Sequence, residues 1–180
     1  MAEDVLRRIM ATHILNFDAR RDRAGRLCLA PDGRLPALAG RVPAAAAARV
    51  AALIAEGAFL KAEAAAVEAV ARYTDKMAGV AREAGVEFLL RDICWQAGPK
   101  GANETVLRAL GLPGDGVLDE AARVALRGAE HAPGPLLQAL TAARDARGAA
   151  EAKRAAQGLR IAQGLSPRRY AGDVYAVAAE

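Results

Sequence analysis

The chain has 180 residues, of which 53% are hydrophobic but only 4% aromatic, and 25 Lys and Arg against 21 Asp and Glu give a net charge of +4. That length suits one domain with a proper core, while charges that are mixed rather than gathered into a basic stripe with interleaved aromatics exclude a dedicated nucleic-acid binder. Cys28 and Cys94 lie too far apart for a CxxC redox or zinc motif, and two isolated histidines, His13 and His131, give a metal site or a Ser/His/Asp triad little to build on.

The opening "MAEDVLRRIM" carries charges where a signal peptide needs an apolar stretch, and no apolar run approaches the ~18 residues of a membrane span. These features predict a chain made in the cytoplasm, with no membrane insertion, no metal and no cofactor. The mild positive excess favours anionic surfaces such as cell-wall polymer.

From Asp4 to Asp18, Val5, Leu6, Ile9, Met10, Ile14, Leu15 and Phe17 recur at helical spacing and predict an amphipathic first helix with Asp18 on its last turn. The following "GRLCLAPDGRLPAL" reads as two short strands, Arg26 to Leu29 and Arg34 to Leu38, around a Pro-Asp-Gly turn, with Pro36 confining the second strand to an edge. Pro43 opens a helix to about Glu56, Gly57 punctuates, and a second helix runs from Ala58 to Tyr73. Alanine dominates both, because it has almost no side-chain entropy to lose in a helix. Thr74 or Asp75 caps a short helix ending at Gly85.

Next, "VEFLLRDICWQAG" is apolar on nearly every face, the pattern of a helix buried in the middle of a domain. After "GPKG" a helix begins near Ala102 or Asn103 and stops at Gly111, "LPGDG" turns, and Asp119 caps "EAARVALRG". "HAPGP" breaks the chain again. From Leu136 two Ala-rich helices are interrupted near Gly148 and Gly164, Ser166 reads as a cap, and a last helix follows Pro167. The predicted architecture is mainly α (α+β): about nine helices around one short β-hairpin.

A helix ending in a carboxylate, then a hairpin, then a buried helix in a helical lobe suits glycan cleavage. A glycosidase needs a carboxylic acid in a partly apolar place, where a raised pKa keeps it protonated for the leaving oxygen. Asp18 is the candidate acid, and Asp22 and Asp32 on the predicted cleft wall are candidate substrate contacts. The competing reading pairs Asp18 with Arg20, Arg21 or Arg23 as a solvated ion pair. Trp95 and Gln96 are candidate glycan contacts, with Trp95 as plain core the alternative. Glu87, Asp92 and Glu104 are each eligible as a second carboxylate, and no spacing singles one out.

Three stretches in this order, "EDVLRRIMATHILNFDARRDRAGRLCL", "AALIAEGAFLKAEAAAVEAVARYTD" and "VEFLLRDICWQAGPKGANETVLRALGLPGDGVLDEAARVAL", resemble the phage-type glycoside hydrolase family 108 and its companion peptidoglycan-binding region. The strongest part is the last, where Trp95 to Pro99, Val106 to Gly111, Asp115 with Gly116, and Leu118 to Ala121 match the family's phrases. The resemblance implies a single lysozyme-like domain over 1–180, with catalytic elements in 1–85, a peptidoglycan-binding-like region in 86–130 and C-terminal helices in 131–180. It implies a muramidase or endolysin acting on the glycan strands of peptidoglycan, reaching the wall after release or on a phage or secretion particle whose proteins are its other partners. The family's catalytic acid is a glutamate where this chain has Asp18, its hairpin region is longer, its asparagine is Gln96 here, and its Gly-Pro-x-Thr is missing from "VLDEAARVAL". These departures give the alternative of a catalytically inactive relative that binds peptidoglycan or a protein partner through the same cleft.

Overall fold

The computed structural model describes residues 2–165, and among these it is all-α, with seven helices. These are α1 (Ala2–Asp18), α2 (Ala44–Ala55), α3 (Phe59–Thr74), α4 (Ala84–Ala109), α5 (Glu120–Ala129), α6 (Pro133–Asp145) and α7 (Ala149–Leu165). The cap at Ser166 and the helix after Pro167 lie outside the described residues. The chain divides into two compact units, Met1–Asp75 and Lys76–Glu180.

In the first unit α1 and α2 both pack on α3. Met10, Ala11, Ile14 and Leu15 form the buried stripe of α1, and Ala62, Ala66, Val67, Val70 and Ala71 that of α3. Removing a Leu or Ile side chain of this kind from water contributes about 1.5–3 kcal/mol. By contrast, α2 buries a single residue, Val50. Arg7 ties the start of α1 to the end of α3, donating through Nε and Nη2 to Asp75 at 3.0 and 2.8 Å and through Nη1 to Glu68 at 3.1 Å.

The predicted hairpin is absent: no strand is found among the described residues, only an isolated antiparallel bridge between Arg21 and Leu27. Two acid–arginine turns explain why. Arg26 pairs with Asp22 just before it rather than with the Arg34–Leu38 segment, the Asp22 N–H donating to the Arg26 carbonyl at 3.0 Å and the Cys28 N–H to that of Arg20 at 3.0 Å. The Pro-Asp-Gly turn does form, closed by Ala30 N–H to Arg34 O at 2.8 Å. Beyond it the chain coils: Leu38 N–H reaches back to Leu35 O and Arg41 N–H to Leu38 O, a turn rather than an edge strand. Leu35, Ala37 and Leu38 are all buried, so the segment lacks the strict alternation of a half-buried strand.

In the second unit α4, α6 and α7 pack against one another. The predicted buried helix is present: Val86, Phe88, Leu89, Leu90, Ile93, Cys94 and Trp95 are all enclosed. Burial pushes the Cys94 thiol up to about 11, so it stays an uncharged apolar group. The predicted short helix before α4 is a single 3₁₀ turn, Asp75–Met77. The predicted break at "GPKG" is a bend inside α4, centred on Gly98 with φ 74° and ψ 171°. Pro99 follows as the first residue of the new helical direction, where its missing N–H leaves no bond unmade. The Asp119 cap is observed, its carboxylate accepting from Ala122 N–H at 2.8 Å.

Candidate functional site

Asp18 ends α1, one turn past Ile14 and Leu15, whose burial fixes the direction in which the helix delivers it. Its side chain is 20% exposed, and Oδ2 lies 4.0 Å from Nη1 of Arg41. Arg41 stands beyond the coil that replaces the hairpin and donates back to the Ala37 carbonyl at 3.3 Å. Asp18 therefore has a distant arginine, Arg41, within ion-pair reach. Nothing in the local sequence marks Arg41, because the turns between it and Asp18 set the approach.

Arg21 is a clamp. Its guanidinium donates to the Gly25 carbonyl at 2.7 Å, to Asn16 Oδ1 at 2.6 Å and to both oxygens of Glu63 on α3, at 3.0 and 2.6 Å. Arg26 lies 4.4 Å from the centre of the Phe59 ring, a cation–π contact at the start of α3. Between them these arginines hold the coil after Asp18 to α1 and α3.

The two neighbouring acids serve their own turns. Asp22 accepts from the N–H groups of Ala24 and Arg26, both at 2.9 Å, and from Arg26 Nε at 2.7 Å. Asp32 accepts from Arg34 N–H at 3.1 Å and from Arg34 Nε at 2.8 Å. Hydrogen bonds from Arg26 and Arg34 hold both carboxyls below the usual carboxylate range, so both are anions at neutral pH rather than proton donors.

Trp95 and Gln96 belong to the second unit, on α4 just before the Gly98 bend. Trp95 is 1% exposed, so its ring faces are occupied by packing rather than offered to a sugar. Gln96 is half-buried. Of the acids eligible as a second carboxylate, Glu87 pairs with Arg91 at 2.7 Å and Glu104 lies 3.9 Å from Lys100. Asp92 is fully buried and pairs with Arg144 of α6 at 2.7 Å and with Arg154 of α7. Glu151 completes this cluster by accepting from Arg144 Nε at 3.1 Å.

Sequence reading missed two further acids. Glu83 caps α4 through Val86 N–H at 2.8 Å, and Glu130 accepts from the N–H groups of Arg82 and Glu83 at 2.7 and 2.8 Å. Both line an open hollow of about 590 Å³ with His131. A glutamate just ahead of an apolar run was the one available signal for Glu83. No group of three or more His, Cys, Asp or Glu that could hold a metal is found among the described residues, and no described helix is long and apolar enough to cross a membrane. Compared with family models, with curated proteins and with solved structures, the chain matches none.

Proposed function

We propose that this chain is a lysozyme-like, peptidoglycan-directed protein of the muramidase type, in which Asp18 gives a proton to the leaving oxygen of the glycan bond. The observation that carries the reading is the placement of Asp18: it ends an amphipathic helix, is four-fifths enclosed, and precedes a coil held in place by Arg21 and Arg26. A rigid, partly desolvated mount is what a general acid requires. Supporting it, the phrase "CWQAGPKGAN" forms a buried helix that bends at Gly98 and continues, the order of elements the resemblance implies. Delivery to the wall after release or on a particle, with phage or secretion-particle proteins as partners, belongs to this proposal.

A second reading keeps wall binding and drops hydrolysis. It is favoured by Asp22 and Asp32, whose carboxylates are spent on their own turns and so are poor candidates for the base or nucleophile that glycoside hydrolysis pairs with its acid.

The test incubates insoluble peptidoglycan with the wild type, Asp18→Asn and Asp18→Glu, measuring new reducing ends beside pulldown. The expected outcome is release by the wild type, loss in Asp18→Asn, and a gain of up to about a hundredfold in Asp18→Glu, since glutamate restores about 1.5 Å of reach. Pulldown by all three without reducing ends selects the binding reading. Absence of both pulldown and release rejects the two together.

A further inference from the structure

We propose that the groove between α2 and α3 docks an acidic amphipathic helix of a partner protein. The groove encloses about 610 Å³ within the first unit, with a floor of methyl groups from residues such as Ala45, Ala65 and Ala69 and with Arg49, Lys61 and Arg72 on its walls. Among the described residues, Arg49 and Lys61 take part in no hydrogen bond or ion pair. Arg72 reaches Glu68 at 2.7 Å with its side chain 77% exposed, and Glu68 is already engaged by Arg7. The one acid in the groove is thus shared between two arginines, and the walls present a net positive charge over an apolar floor.

Three features select the occupant. First, α2 buries only Val50, and the groove is lined by Leu53 and several alanines of α2 and α3, so this face leaves apolar surface in water. Second, walls made of two helices keep their backbone groups in internal bonds and offer no edge to an extended strand, so an occupant must satisfy its own backbone, as a helix does. A floor of alanine lets another helix approach closely, much as small residues do wherever helices cross. Third, Lys61 and Arg72 lie eleven residues apart on α3, about 16 Å at 1.5 Å per residue. Acids at i and i+11 on one face of a three-turn helix span that distance, with Arg49 meeting the opposite flank. A purely anionic polymer has no apolar face to set on the methyl floor.

The probe is a labelled peptide of about 18 residues, long enough to hold helical structure, with a Leu/Ala stripe and Glu at i, i+4, i+7 and i+11. Its binding to the full chain is followed by fluorescence anisotropy, against poly-glutamate of equal charge and against the same peptide with Lys in place of Glu. Because all three cations are on the surface, circular dichroism of Arg49→Glu, Lys61→Glu and Arg72→Glu is expected to match the wild type. The Glu peptide is expected to bind the wild type, to weaken at least about tenfold for Lys61→Glu and for Arg72→Glu, and to be replaced by the Lys peptide as the better ligand of the triple reversal. Failure of the Glu peptide to bind, equal binding by poly-glutamate, or indifference to the reversals overturns the proposal. None of these readouts involves peptidoglycan, so the proposal stands or falls apart from the muramidase reading.

Discussion

Asp92 ties three helices of the second unit together. It is fully enclosed, yet both its oxygens are used: Arg144 approaches one at 2.7 Å and Arg154 the other, so α4 is tied to α6 and α7 through one carboxylate. The arginine beneath it is 1% exposed and keeps one nitrogen, Nη2, without a partner, a cost the fold already carries. Removing the carboxylate would leave a buried guanidinium with only Glu151. Asp92→Ala is therefore expected to lose about 3–5 kcal/mol of stability by urea denaturation. Glu104→Gln, which breaks an exposed 3.9 Å pair on the same helix, should change stability by no more than about 0.5 kcal/mol. Adding Arg144→Met to Asp92→Leu should recover part of the loss, because the two most deeply buried charges then go together and only Arg154 and Glu151, both less enclosed, lose a partner. Equal losses for Asp92→Ala and Glu104→Gln would show that the cluster carries no special weight. None of this was legible in the sequence: the partners of Asp92 stand 52 and 62 residues away, and pairing at that range leaves no periodic trace.

At the scale of elements, the bend in α4 places a glycine with non-helical backbone angles inside a helix. With φ 74° and ψ 171°, Gly98 occupies a region that is essentially closed to side chains. Gly98→Ala is expected to cost about 1–3 kcal/mol even though an added Cβ there has open space around it. Gly128, in the last turn of α5 and also in open space, has no such φ, and Gly128→Ala should stabilise by about 0.4–1 kcal/mol. Opposite signs for two substitutions of one chemical kind, read as shifts in the urea midpoint, check the assignment; a loss at both would refute it. "GPKG" announced an interruption but not its nature, since a stop and a bend share the same Gly-Pro signal. The helices themselves were legible because their apolar stripes and caps repeat within a few residues: Asp18 as the end of α1, Pro43 before α2 and Asp119 before α5 all stand where they were read. The hairpin was misread for a related reason. Four- or five-residue apolar runs carry too few periods to separate strand from turn, and in the structure the segment is taken up by local turns, with Asp22 pairing with Arg26 and Asp32 with Arg34. The same pairs hold the carboxyls of Asp22 and Asp32, the two candidate substrate contacts, as anions on their own turns.

At the scale of the whole molecule, the shifted histidine and carboxylates respond to acid in one direction. Burial holds His13 below its ordinary value of about 6.5, so the unfolded chain takes up that proton first and stability falls as pH drops through 6.5. Hydrogen bonds from Arg7 and Arg72 hold Glu68 low, as Arg26 does for Asp22 and Arg34 for Asp32. For these carboxylates the stabilisation is complete above the unfolded value of about 4 and is lost as pH falls through the lower folded values. Arg7 and Arg21, raised by their carboxylate partners, keep their protons throughout and add no slope of their own. The net charge of +4 at neutral pH grows as carboxylates are neutralised, and self-repulsion then acts in the same sense. The expected profile of the urea midpoint is flat from pH 8 to 7, declines gently from about pH 6.5, and drops more steeply below about pH 4. His13→Gln should remove the gentle decline and leave the lower drop, while Glu68→Gln should reduce the drop and leave the decline. A midpoint that rises between pH 7 and 5 would contradict the sign for His13, because it would require a group that gains a proton more readily in the folded chain than in the unfolded one.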